Sequence, residues 1–144
     1  MTQPKIPDGF APHFKRSGLT DPWEPLFSRK MKDRVCIGLH LSEVHCNSQM
    51  LVHGGLIATL ADNAMGLSCL QVMNAAGRDI AGLVTISLQI DYMSTAKLGT
   101  WLMVDPDYIK CGKSICFARA LVIANEKVIA KANANFKVIH PRKD

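Results

Sequence analysis

Residues 55–75, GLIATLADNAMGLSCLQVMNA, put apolar side chains on nearly every face of a helix: Leu56, Ile57, Leu60, Ala61, Ala64, Met65, Leu67, Leu70, Val72 and Met73. A helix that is apolar all round does not lie on a surface; the rest of the fold has to enclose it. The C-terminal half of the chain supplies an enclosure. From Val84 the apolar residues Val84, Ile86, Leu88, Ile90 and Tyr92 alternate with Thr85, Ser87, Gln89 and Asp91, the period-two pattern of a half-buried strand. Three more strands read near Thr100 to Tyr108, Ser114 to Ala124 and Val128 to Ile139, with connections short enough for antiparallel hairpins. Before the helix, a β-prone stretch runs from Arg34 to about Val44 and a polar turn occupies Asn47-Ser48-Gln49. The simplest architecture is α+β, an antiparallel sheet curling around one long central helix.

The 144 residues fit one domain spanning 1–144. Residues 1–33 contain Pro4, Pro7, Pro12, Pro22 and Pro25, which predicts an extended lead-in packed as a flap, with one short helix near Trp23 to Arg29. No apolar run approaches the roughly 20 residues of a membrane span. The N-terminal residues lack the apolar segment of a secretory signal, so a cytoplasmic location is expected. Five cysteines (Cys36, Cys46, Cys69, Cys111, Cys116) at scattered spacing read as reduced thiols, mostly in the core. A net charge of +5 favours anionic partners. Nucleic acid fits poorly, because the basic residues are dispersed and aromatics make up 6% of the chain.

One residue contradicts the apolar helix. Asp62 sits in its middle, and its neighbours on the same face, Ala58, Thr59, Met65 and Gly66, include no cation. A buried carboxylate without a partner is costly, and small Ala58 and Gly66 leave room beside it. Just ahead, His53-Gly54-Gly55 turns the chain into the helix. Glycines there let a ligand approach the backbone, and free N–H groups of the first turn attract negative charge, including a carbonyl oxygen becoming an oxyanion. Nine residues separate His53 from Asp62, a rotation of about 180° and a rise of roughly 13 Å in an ideal helix. The two cannot serve one reacting centre from the same helix. If both act, a second copy of the chain must bring its own helix alongside, as a two-fold dimer does.

Asn47, His53-Gly54-Gly55, Leu60, Asp62-Asn63 and then Asp91-Tyr92-Met93-Ser94-Thr95-Ala96-Lys97 together resemble the hotdog-fold acyl-CoA thioesterases of the phenylacetate-pathway (PaaI-like) type, over about residues 34–139. The resemblance implies a hotdog fold, a homodimer or dimer of dimers, and hydrolysis of an acyl-CoA thioester, with coenzyme A as part of the substrate and no separate cofactor or metal. It places the catalytic carboxylate on Asp62, as general base or nucleophile. The oxyanion-binding N–H falls on Gly54, with His53 hydrogen-bonding nearby, and Asn47 and Thr85 help to orient water or the carbonyl. It places coenzyme A against Tyr92 and the hairpin Lys110, Cys111, Gly112, Lys113, Ser114 and Ile115, with Lys97 and Arg119 as further phosphate contacts. Physical reasoning agrees: a thioester has weak resonance stabilisation and a good leaving group, so one carboxylate and a preorganised oxyanion site suffice.

Other motifs fail on their context. Gly112-Lys113-Ser114 lacks the first glycine of a P-loop, because position 107 is Asp107. Gly66-Leu67-Ser68-Cys69-Leu70 lacks the last glycine of a nucleophile elbow. His40, His45 and Cys46 offer no fourth metal ligand, and a strand would point the two histidines to opposite faces. Cys69 has no histidine at helical spacing and reads as core. A non-catalytic acyl-CoA-binding module and a hotdog hydratase or dehydratase are the competing functions.

Overall fold

The computed structural model describes residues 4–143. Helix α1 (Gly54–Ala75) lies against an antiparallel seven-stranded sheet built from β1 (Ala11–Pro12), β2 (Phe27–Lys30), β3 (Val35–His40), β4 (Gly82–Tyr92), β5 (Trp101–Cys111), β6 (Ile115–Ala124) and β7 (Lys127–Ile139). The order across the sheet is β1-β2-β3-β5-β6-β7-β4. This is the hotdog arrangement, with the helix as filling.

The sheet can close on the helix because its inner row is small. Ala118, Ala120, Ala130, Ala132 and Ala134 are all buried beneath Leu56, Leu60, Ala64, Met65 and Met73. Alternation sends these alanines to one face, and their short side chains let α1 approach closely. Leu60 is fully buried, and cutting it to alanine would cost about 2–5 kcal/mol through lost transfer energy and a cavity. Ser68 is the buried polar residue of this face. Its hydroxyl accepts from the Val35 N–H at 2.9 Å and donates to the Ala64 carbonyl at 2.7 Å, joining α1 to β3. It is satisfied rather than costly.

Four expectations change. First, α1 is not enclosed on all sides in one chain: Thr59, Asp62, Asn63, Gly66, Leu67 and Leu70 are only half-buried. By length and composition it also meets the measure of a membrane-crossing helix, but here it is the core helix. Second, residues 27–30 form a strand, not a helix, because they pair with the free edge of β3. The helical element of the lead-in is a single 3-10 turn at Asp21–Trp23. Third, β3 ends at His40, and a second 3-10 turn occupies Glu43–His45. Fourth, the apolar residues of β4 do not form one buried row.

That last correction has a local cause. The pairing of β4 with β7 shifts register between Thr85 and Ser87, leaving Ile86 as an extra residue. Before the bulge Leu83 and Thr85 face the buried row of β7, opposite Val138 and Phe136; after it, Leu88, Ile90 and Tyr92 do, opposite Ala134, Ala132 and Ala130. Val84 and Ile86 are consequently turned outward, 55% and 54% exposed.

Candidate active site

α1 starts where His53 caps it. The His53 Nδ1 accepts from the Gly55 N–H at 2.8 Å, satisfying one of the free donors of the first turn. A side chain on Gly55 would put its Cβ 2.9 Å from that nitrogen. Gly54 is constrained by a different neighbour. The Tyr92 hydroxyl donates to the Gly54 carbonyl at 2.6 Å, and a Cβ on Gly54 would lie 3.3 Å from the Tyr92 ring. The pair of glycines thus lets an imidazole and a phenol close on the backbone from two directions. Among the described residues the Gly54 N–H has no acceptor, so it is free for a ligand.

Asn47 and Lys97 belong to the same neighbourhood. The Asn47 Oδ1 accepts from the N–H groups of Gln49 and Leu51 at 2.9 and 3.2 Å, shaping the turn that leads to His53. Its oxygen is therefore spent on the loop. Leu51 forms a bridge with Lys97, and Val52 one with Cys46, which brings the segment after β4 beside the helix start.

Asp62 lies elsewhere. Its Oδ1 accepts from the Thr85 hydroxyl at 2.8 Å, so the partner that its own helix lacks comes from β4. The two line a cleft of about 540 Å³ whose apolar wall includes Leu67, Leu70, Ile80, Leu83 and Phe136. The outer wall is the lead-in: His13, Lys15, Arg16, Ser17 and Thr20. The sequence reads this segment as a flap, but which of its residues reach the cleft is set by the fold, which brings them from more than 40 positions away. Arg16 is held by Asp21 at 2.8 Å. Burial lowers the pKa of His13 against the opposing pull of Glu24, and the His13 Nδ1 is buried without a partner.

His53 and Gly55 line a different cleft, with Trp23, Val44, His45, Cys46 and Leu56. One chain therefore does not unite the His53-Gly54 turn with the Asp62-Thr85 pair. The hairpin Lys110 to Ile115 is also separate, at the far end of α1, where Arg78 donates to the Lys113 carbonyl at 3.3 Å and the Cys111 thiol to the Cys69 carbonyl at 3.6 Å. Arg119, expected near phosphate, is instead engaged by both carboxylate oxygens of Asp107 at 3.1 and 2.9 Å.

A helix-filled antiparallel sheet carrying a glycine turn at the helix start and a single carboxylate along it is the hotdog arrangement, and within one chain the two features open into separate clefts. The family model described as the thioesterase superfamily matches residues 49–131. A Pseudomonas aeruginosa protein whose name gives it only as a candidate esterase is 34% identical over 132 residues, covering 91% of this chain and 96% of that protein. Human acyl-coenzyme A thioesterase 13 is 36% identical over 86 residues, 58% of this chain and 56% of the human protein. Among solved structures, a Streptococcus mutans protein crystallised with acetyl-CoA superposes with a TM-score of 0.73 at 24% identity, covering 91% of this chain and 98% of that one. The chain belongs to the thioesterase superfamily.

Proposed function

We propose that this protein hydrolyses an acyl-CoA thioester to the free carboxylic acid and coenzyme A, without a separate cofactor, as a homodimer that shares its active sites. The observation that carries this reading is the Asp62 carboxylate, fixed by Thr85 in a cleft with an apolar wall on one side. With Oδ1 engaged by Thr85, Oδ2 is available to take a proton from water as it attacks the thioester carbonyl. The unpaired Gly54 N–H, at the positive end of α1, stabilises the oxyanion that forms. The acyl group occupies the cleft beside Leu67, Leu83 and Phe136. Tyr92 and Lys97 at the helix start of one chain, and Lys110 and Lys113 on the Lys110–Ile115 hairpin of the other, are the coenzyme A contacts, the lysines meeting its phosphates.

Two features support the shared site. His53 and Asp62 open into different clefts of one chain. In addition, β4 is the sheet edge and turns Val84 and Ile86 outward, an apolar edge that a second chain can cover. A second copy laid against β4 would cover it and bring the partner's helix start towards Asp62.

The test is thiol release from a panel of acyl-CoAs by the wild type and Asp62→Asn. Turnover by the wild type that falls at least about 100-fold in the variant is expected from loss of a general base. Equal rates in the two proteins would remove Asp62 from the chemistry. Tight acyl-CoA binding with no thiol release would make the protein a binding module.

A further inference from the structure

Three of the five cysteines converge where α1 meets the Lys110–Ile115 hairpin. Cys69 on α1 and Cys111 and Cys116, direct partners on β5 and β6, hold their sulfurs within 4.8 Å of one another. The Met73 sulfur, one helical turn past Cys69, is 3.8 Å from the Cys116 sulfur. Cys69, Cys116 and Met73 are buried, while Cys111 is half-buried and gives the cluster an open side. Spacings of 42 and 5 residues make no sequence motif, so only the fold shows the group.

Three sulfurs held this close, with the Met73 thioether beside Cys116 and Cys111 on the less buried side, are a starting point for capture of a soft cation.

We propose that Cys69, Cys111 and Cys116, with Met73 as a weaker fourth donor, form a binding site for copper(I). Thiolate and thioether donors select soft cations. At a metal–sulfur distance of about 2.3 Å, trigonal coordination puts the sulfurs about 4 Å apart, so the cluster closes by less than an ångström. Zinc(II) is served less well, because its structural sites take four Cys or His ligands, and among the described residues no imidazole joins these three thiols. Each thiol that ligates gives its proton to solvent; neither copper nor sulfur changes oxidation state. Binding fastens the last turns of α1 to the Lys110–Ile115 hairpin and leaves the Asp62 site untouched.

The experiment titrates the reduced, full-length protein with copper(I), under anaerobic conditions, against a chromophoric copper(I) chelator. One equivalent retained by the wild type is expected, with X-ray absorption reporting sulfur-only coordination at about 2.3 Å. Retention should weaken at least about 100-fold in Cys111→Ser and in Cys69→Ser, and stay unchanged in Cys46→Ser, which lies outside the cluster. Unfolding midpoints of the metal-free variants show whether they are folded; Cys111→Ser, at the half-buried position, carries the test if Cys69→Ser is not. Copper retained equally by Cys111→Ser, no copper retained by the wild type, or zinc(II) held by these cysteines in preference to copper(I) would each overturn the proposal.

Discussion

The Thr85 hydroxyl donates to Asp62 Oδ1 at 2.8 Å, so the outermost strand of the sheet fixes the one carboxylate of the central helix. A hydrogen bond to a charged group contributes roughly 1.5–3 kcal/mol. Thr85→Val, which keeps the shape and removes the donor, is expected to lower kcat about tenfold or more with little change in KM. Thr85→Ser should retain most of the rate. Steady-state kinetics of the two variants check this, and an unchanged kcat in Thr85→Val would separate the bond from catalysis.

Tyr92 is placed by the structure to hold the helix start, a role separate from the coenzyme A contact proposed for it. Its hydroxyl donates to the Gly54 carbonyl, and that peptide neighbours the free Gly54 N–H. Tyr92→Phe should therefore reduce kcat several-fold, while a role confined to coenzyme A would appear in KM alone.

The division of His53 and Asp62 between two clefts makes mixing experiments decisive. His53→Ala and Asp62→Asn are each expected to be strongly impaired. Unfolded and refolded together in equal amounts, they should recover about a quarter of wild-type activity, since half the dimers are mixed and each mixed dimer has one intact site of two. No recovery despite demonstrated subunit exchange would place the whole site in one chain.

Stability should fall with acid because two histidines are buried. Burial lowers the pKa of His13 and of His45 below the ordinary 6.5. For His45 the geometry agrees: Nε2 lies 2.8 Å from the Trp23 carbonyl and Nδ1 accepts from the Ser42 N–H at 2.9 Å, an arrangement that suits the neutral ring. The unfolded chain takes up these protons first as pH drops through 6.5, so the stabilisation present at pH 7.5 is progressively lost below that value. Urea midpoints at pH 7.5 and 5.5 should show the loss, and His13→Gln should show less of it. An equal loss in that variant would exclude His13 as a contributor.

Much of this was legible because it is local. The apolar repeat of α1, the glycine turn and the positions of the last four strands follow from short-range patterns, whereas the bulge in β4 broke its alternation; Asp62 stood out because no helical neighbour could pair with it. What escaped depends on distant partners. Residues 27–30 became a strand only because β3 offers a free edge. Arg119 could not be known to be engaged before β5 and β6 paired and brought Asp107 beside it. The Tyr92–Gly54 bond and the wall that residues 13–20 give the Asp62 cleft likewise need the folded chain.

The extra residue at Ile86 limits how this chain can vary in length. Thr85 and Tyr92 are seven positions apart, an odd interval that an unbroken strand would resolve onto opposite faces. The surplus residue lets both reach α1, one at Asp62 and the other at Gly54. Deleting a single residue between them would leave an apparently regular strand and sever one of its two links to the helix. Insertions at the exposed Asn125-Glu126 turn carry no such parity.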